Sequence, residues 1–211
     1  MLKKLILTLF ILHSPCIILN STAHAAGKLP DTGQTKCYDP SGSTTNEIPC
    51  AGTGQDGAYS INPMSYTDNG DGTVKDNNTG LTWQKCSVGQ NSDASCSGTA
   101  AYYNWYQASG TYDASYNAST TSVCGSLTLA GGGWRLPSKK ELTGIVDYSI
   151  PYPGPTIAQG TFPNTVSSGW SSTTGAYGPP DGAWGVYFSY GGVGYASKYY
   201  SYYVRCVRGG Q

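Results

Sequence analysis

The sequence predicts an α+β fold in which two helices lie beside a small twisted antiparallel sheet and disulfide bonds hold the parts together. Three observations lead to this prediction. Short alternating strands are separated by Gly- and Asn-rich turns, a capping box marks the start of a helix at Ser138, and seven cysteines occur in a chain of 211 residues.

The N-terminus predicts a signal peptide over residues 1–25. Two lysines precede an apolar run from Leu5 to Leu12, and Ala23-His24-Ala25 is a cleavage site of the small-x-small type. The apolar run is too short to span a bilayer. We therefore expect cleavage after Ala25, no retained transmembrane segment, and a protein that is secreted, periplasmic or displayed at the cell surface.

The charge balance argues against several classes of function. Cleavage removes both histidines and two lysines, which leaves 10 basic against 12 acidic residues, without the basic excess of a nucleic-acid-binding protein. Without histidine, neither a Ser-His-Asp nor a Cys-His arrangement can form. The carboxylates considered for glycoside hydrolysis have no partner at an informative spacing: Glu47, Asp56, Glu141, Asp147 and Asp181. We expect no enzymatic activity, no cofactor and no nucleic-acid partner.

Cysteine usage predicts a disulfide framework. Cys16 leaves with the signal, and the even number that remains in an exported chain favours disulfides over metal ligation. Six cysteines allow 15 pairings, which sequence alone cannot distinguish. Spacing favours the pairs Cys37–Cys50, Cys86–Cys96 and Cys124–Cys206.

Along the chain, residues 26–65 are predicted to form a loop-rich extension, and residues 66–211 the domain itself. The domain begins with predicted strands at residues 66–67, 73–76 and 81–84, joined by Asn-Gly and Asp-Gly turns. Asp68, Asp71 and Asp76 in the first hairpin are candidate Ca²⁺ ligands. Gly70 and Gly72 nevertheless occupy places where an EF-hand loop has oxygen ligands, so a turn is the favoured interpretation and no metal site is predicted.

Two helices are predicted in the middle of the chain. The first lies somewhere between Trp105 and Leu127. The second begins at Ser138, where Ser138 and Glu141 form a capping box, and it is expected to end between Asp147 and Ser149. Its apolar face is formed by Leu142, Ile145 and Val146.

The sequence after the second predicted helix indicates antiparallel strands between Gly/Pro turns, at residues 170–172, 184–188 and 202–207. Alternation along a strand places about half of its side chains inside. The residues expected in the core are Trp134, Trp170, Val204 and Val207.

Five blocks of this chain resemble the C-terminal domain family of the Legionella collagen-like adhesin. They are TDNGDGTVKDNNTGLTW (67–83), GWRLPSKKEL (133–142), FPNT (162–165), WSST (170–173) and YYVRCVRGGQ (202–211). At a longer distance, the Arg-Leu-Pro helix start and the closing Arg-Cys-Val-Arg strand are similar to formylglycine-generating enzymes and other C-type lectin-like folds. The resemblance implies a lectin-like domain in which a cysteine at the end of the first helix, matched by Cys124, is bonded to the last strand through Cys206.

The resemblance implies adhesion, while the residues present argue against carrying over catalysis or calcium-bridged sugar recognition. The calcium motifs of sugar-binding C-type lectins are absent, and no cysteine stands apart from the disulfide set to serve as the reactive one that the enzyme branch needs. The chain also has no Gly-X-Y repeat, so the adhesin's collagen-like stalk does not carry over.

The aromatic composition predicts a binding surface. The chain has 18 Tyr and 5 Trp against 3 Phe, mixed with Ser, Gly and Asn, as in antibody paratopes. The predicted ligand-binding residues come from the densest stretch: Tyr177, Asp181, Trp184, Tyr190, Tyr195, Lys198 and Tyr199. We expect most of them to be exposed, with Lys198 available to an acidic group.

The function predicted from the sequence is an exported, non-catalytic module that recognises a glycan or a protein through this Tyr/Trp-rich surface. A structural or assembly role in an envelope complex is the alternative. A carboxylate-dependent hydrolase is a third class, which turnover on glycosides would reveal.

Overall fold

The computed structural model describes residues 27–39, 46–112, 115, 117–119, 121–176 and 181–209. The predicted signal peptide, with Cys16, lies outside these ranges. The elements in chain order are β1 (Cys37–Tyr38), β2 (Glu47–Ile48), β3 (Tyr66–Asp68), β4 (Thr73–Asp76), β5 (Thr82–Gln84), β6 (Tyr103–Asn104), α1 (Trp105–Ser109), α2 (Lys139–Thr143), β7 (Ser168–Thr174), β8 (Gly182–Tyr187), β9 (Gly192–Ser197), β10 (Ser201–Tyr202) and β11 (Val207–Arg208). Short 3₁₀ turns lie at Asp56–Ala58 and Leu129–Gly131.

Instead of the single small sheet that was predicted, the described part of the chain has four small antiparallel sheets. Their strand orders are β1-β2, β10-β6, β11-β5-β4-β3 and β7-β8-β9. With two short helices and three disulfides, this arrangement agrees with the α+β class. No helix among the described residues is both long enough and apolar enough to cross a membrane.

The β3–β4 hairpin forms because its turn residues satisfy their own backbone. Gly70 and Gly72 have φ values of 75° and 84°, a region that glycine enters without strain. The Asp68 carboxylate accepts a hydrogen bond from Gly70 N at 3.0 Å, and Asp71 accepts one from Thr73 N at 3.1 Å. These aspartates therefore act as turn residues, as the sequence predicted.

Both helices are shorter than predicted. The helix expected between Trp105 and Leu127 is only α1, which Gly110 ends in the left-handed region. The capping box of Ser138 and Glu141 is confirmed, but α2 ends at Thr143. Beyond it the chain turns, and Asp147 N donates to Thr156 O, which allows Ile145 and Val146 to reach the core.

The predicted strand over residues 202–207 is wrong as one element, because its residues change partners. Tyr202 pairs with Tyr103, Tyr203 forms a bridge to Gly169, and Val207 pairs with Trp83. Cys124 lies in a turn after α1 instead of at the end of a helix. The pairings Cys37–Cys50, Cys86–Cys96 and Cys124–Cys206 are confirmed.

The core has two parts, one on each face of the β7-β8-β9 sheet. On one face, Val186 packs with Leu142, Ile145 and other residues of α2 and the β11-β5-β4-β3 sheet. On the opposite face, Ala183 packs with Trp134, Trp170 and the Cys124–Cys206 bond. The predicted core residues Trp134, Trp170, Val204 and Val207 are all at most 4% exposed.

The N-terminal extension lies against the loop that follows α2. Tyr148 N donates to Thr32 O at 2.9 Å, and Gln34 Nε2 donates to Tyr148 O at 3.1 Å. These contacts bring residues 29–32 close to α2 and to the exposed end of the β8–β9 hairpin.

Removal of the Cys124–Cys206 bond should destabilise the fold more than removal of Cys86–Cys96. Their sequence separations are 82 and 10 residues, which correspond to about 4.5 and about 2.7 kcal/mol of loop-closure entropy. Urea unfolding of the two double Cys→Ser variants measures the difference. The reverse order of stabilities would contradict it.

Glu141→Gln should lower stability by about 1–2 kcal/mol at pH 7, since Glu141 caps Ser138 N at 2.8 Å and receives two hydrogen bonds from Arg135 at 2.9 and 2.6 Å. Burial alone would raise the pKa of Glu141, but the hydrogen bonds from Arg135 and Ser138 bring it below its usual value of 4.5. A carboxyl group whose pKa is lowered by folding stabilises the fold at pH values above its usual pKa. The difference in unfolding free energy between wild type and variant should therefore shrink as the pH falls below 4.5. Urea unfolding at pH 7 and pH 3.5 measures it, and a constant gap would contradict the assignment.

Candidate functional site

The structure places six of the seven predicted ligand-binding residues, and Tyr177 lies outside the described residues. The side chains of Asp181, Tyr190, Tyr195 and Tyr199 are exposed, Trp184 is half-buried and Lys198 is buried. Four of the seven predicted residues are thus exposed, as expected for most of them, and contact with a ligand stays a prediction. The six residues do not form one surface. Strand alternation and the end of β9 divide them among three patches.

The first patch, the Trp184 patch, consists of Trp184 and Tyr195. These residues are register partners on β8 and β9, so their side chains share a face, with ring centroids 5.9 Å apart at 75°. Lys139 Nζ lies 4.2 Å from the Trp184 ring centroid. The patch is therefore an aromatic pair with a cation held over the indole.

The second patch, the Tyr190 patch, lies on the opposite face of the hairpin. Tyr190 stacks on Tyr187 with centroids 5.6 Å apart at 12°, and the hydroxyl groups of Tyr187 and Tyr202 share a hydrogen bond of 2.6 Å. Burial, followed by this hydrogen bond, raises the pKa of Tyr202. The rings lie flat over glycines: a Cβ at Gly194 would overlap with the Tyr187 ring.

The third patch, the Tyr199 patch, is a row of three tyrosines: Tyr112, Tyr106 and Tyr199. The Tyr106 ring, on α1, is 5.4 Å from the Tyr199 ring and 5.7 Å from the Tyr112 ring. The two outer residues, Tyr199 and Tyr112, are 67% and 38% exposed. Burial, with smaller contributions from Tyr199 and Asp181, raises the pKa of Tyr106, so its hydroxyl stays protonated at neutral pH.

The Tyr199 patch continues into a hollow of about 280 Å³, to which Tyr103 and Val123 contribute apolar surface. Tyr112 forms one wall of the hollow, and hydroxyl and amide side chains line much of the rest: Gln107, Ser119, Thr121 and Ser126. Neighbouring ring faces and hydrogen-bonding groups are the combination by which proteins hold a polar ligand in a fixed orientation.

Lys198 lies beneath the Tyr199 patch, at a place that the sequence did not predict. The side chain is 6% exposed, and Nζ is 4.2 Å from the Trp105 ring centroid. Burial lowers the pKa of Lys198, and the charge of Asp181 opposes this. Lys198 N donates to Asp181 O at 2.7 Å, and Trp105 N donates to Lys198 O at 2.9 Å. Lys198 thus connects the end of β9 to α1 and fixes the two elements that carry the tyrosine row.

Two members of this row, Tyr106 and Tyr112, were not among the predicted residues. They lie far from Tyr199 in sequence, and only the fold brings them together. The local signal was available in the aromatic run Tyr102-Tyr103-Asn104-Trp105-Tyr106 and in the capping box that Asn104 forms with Gln107.

Three of the acidic side chains that were considered for metal binding or hydrolysis form ion pairs within the fold. Asp68 forms an ion pair of 2.7 Å with Lys85, Glu47 forms one with Lys36, and Glu141 binds Arg135. Across the described ranges, no group of three or more His, Cys, Asp or Glu residues is placed to hold a metal ion.

Comparison with protein families identifies the domain. The family model of the Lcl C-terminal domain matches residues 72–208, which is well over half of the chain. The chain belongs to the Lcl C-terminal domain family. The matched region of this Lcl C-terminal domain includes all three aromatic patches and begins within the β3–β4 hairpin. No curated protein and no solved structure matches the chain.

Gly194→Ala should cost about 1–3 kcal/mol in unfolding free energy, because the added methyl displaces the Tyr187 ring from a packed position. Near-UV circular dichroism should change as the stack with Tyr190 loosens. Gly160→Ala is the matched control, since nothing lies within 4 Å of a Cβ there. Equal stability of the two variants would show that the glycines of β9 do not seat the tyrosine rings.

Proposed function

We propose that this Lcl C-terminal domain is an exported, non-catalytic recognition module whose main ligand site is the Tyr199 patch, and that its ligand is a glycan. The family itself is associated with an adhesin. Three disulfides are compatible with an oxidising, extracytoplasmic location. The observation that carries the proposal is the row of tyrosines that opens into a hollow in which hydroxyl and amide side chains lie among apolar ones.

The chemistry of the row fits a sugar ring. A pyranose presents an apolar C–H face, which packs on an aromatic ring, and a rim of hydroxyls, which require hydrogen-bond partners. Tyr199 offers an exposed ring face, and Gln107, Ser119 and Thr121 offer donors and acceptors in the hollow. The cation nearest the row, Lys198, is buried beneath it, so recognition there relies mainly on stacking and neutral hydrogen bonds.

Within the α+β class, the assignment to a C-type lectin-like fold is part of this proposal. Its support is the bond between Cys124 and the C-terminal segment, together with the Arg135-Leu136-Pro137 segment that leads into a capped helix. The short helices and the separate small sheets differ from the two-helix, one-sheet layout that the resemblance implied.

Tyr199→Ala should weaken glycan binding about tenfold, which corresponds to the loss of one stacking contact of roughly 1.4 kcal/mol. The measurement is a glycan array on the oxidised protein, followed by calorimetry with the best glycan. Tyr190→Ala is the matched control, because Tyr190 is also exposed (54%) and also stacked on a tyrosine, but lies in a different patch.

Three outcomes would reject this assignment. Equal losses in both variants would remove the Tyr199 patch as the site. Binding to a protein target that survives deglycosylation would favour the alternative role in an envelope assembly. Turnover of the glycan, abolished by a carboxylate-to-amide change, would make the protein a hydrolase. A chelator should leave binding unchanged, because Asp68 and Asp71 serve the hairpin turn.

A further inference from the structure

An apolar groove lies between α2, the N-terminal extension and the β8–β9 hairpin. Its volume is about 530 Å³. Trp184 and Val193 form the sheet side, Val146 and Tyr148 come from the loop after α2, and Pro30 closes the groove from the extension. The groove shares Trp184 with the Trp184 patch and has no residue in common with the Tyr199 patch.

The groove leaves apolar surface in water. Val193 and Tyr148 are 38% and 37% exposed, and Leu29 at the rim is 84% exposed. Val193 and Trp184 project from the same face of the sheet as Val186, which the core buries. The groove is therefore a continuation of the core that α2 does not reach, and covering it would remove further apolar surface from water.

Positive charge lines one wall of this apolar surface. Lys139 and Lys140, the first two residues of α2, both border the groove. In the described part of the chain the ion pairs are Lys36–Glu47, Lys85–Asp68 and Arg135–Glu141, so neither lysine has a carboxylate partner there.

Asp31, which also borders the groove, does not neutralise the lysines by direct contact. Its two carboxylate oxygens accept hydrogen bonds from Thr32 N at 2.8 Å and Ile61 N at 3.1 Å. The acid is thus used to shape the N-terminal extension. The groove combines apolar walls with two ammonium groups, which is complementary to an apolar group that carries a negative charge.

The form of the groove favours a peptide over a small molecule. Small-molecule sites bury most of their ligand, whereas this groove is open to water along Val193 and Tyr148. The groove also lies beside β9, which is the last strand in the order β7-β8-β9. An extended peptide that follows an outer strand directs every second side chain towards the same face of the sheet.

We propose that this groove binds an extended peptide segment in which an apolar residue stands next to an Asp or Glu. The apolar side chain lies on Val193 beside Trp184, whose ring already carries Lys139 Nζ, and the carboxylate pairs with Lys139 and Lys140. This peptide site is independent of the glycan site at the Tyr199 patch, so either assignment can fail without the other.

The test uses a phage-displayed library of random dodecapeptides, selected on the whole oxidised protein. Enriched peptides should share an apolar residue beside an acidic one. Fluorescein-labelled copies should lose binding at least tenfold, by fluorescence anisotropy, with Lys139→Gln/Lys140→Gln and with Val193→Glu. A peptide whose acidic residues are replaced by amides should bind to the wild-type protein as weakly as the original peptide binds to these variants.

Two control variants make the result specific. Lys75→Gln removes an exposed lysine from β4, away from the groove, and Tyr199→Ala removes the proposed glycan contact. Both should bind the peptide as wild type does. Enriched peptides that bind all groove variants equally well, or a selection without enrichment, would overturn the proposal. If no peptide binds but decanoate quenches the tryptophan fluorescence, the groove is a fatty-acid site and the peptide proposal is wrong.

Discussion

The burial of a charged residue in the C-terminal segment is the constraint on which the other parts of the fold depend. Arg205 is 4% exposed, and its guanidinium donates to the carbonyl oxygens of Gln84 and Lys85 and to Thr165 Oγ1 at 2.8 Å. The Phe162 ring centroid lies 5.0 Å from its Cζ. Burial lowers the pKa of Arg205, but a guanidinium stays charged at neutral pH. A buried cation without its hydrogen bonds would be costly, so these acceptors must stay in place together.

The same segment positions both proposed binding surfaces. Cys206 is bonded to Cys124, while Val207 exchanges two backbone hydrogen bonds with Arg135, whose side chain then reaches Glu141 at the start of α2. This chain of contacts sets the position of α2 and therefore of the two lysines of the groove. Towards the N-terminus, Tyr202 pairs with Tyr103 immediately before α1, and this places the tyrosine row.

Much of the fold could be predicted from the sequence, because its signals are local. The first hairpin follows from Asn-Gly and Asp-Gly steps, and the start of α2 follows from Ser138 and Glu141. The division of the aromatic residues into patches could not be predicted. It depends on strand register, and a shift by one residue would exchange the faces of Trp184 and Tyr187. The length of α1 and the partner changes after Tyr202 depend on contacts distant in sequence.

The tyrosines differ from an ordinary exposed aromatic surface in that they contact one another before any ligand arrives. Tyr199 rests on Tyr106, which rests on Tyr112, and Lys198 is buried below them against Trp105. A side chain that is already ordered loses little conformational entropy on binding. A rigid row can then bind weakly hydrated ring faces with few polar contacts, as paratopes do. The groove relies more on its two lysines, which have no carboxylate partner in the described part of the chain and therefore suit a ligand that contributes its own carboxylate.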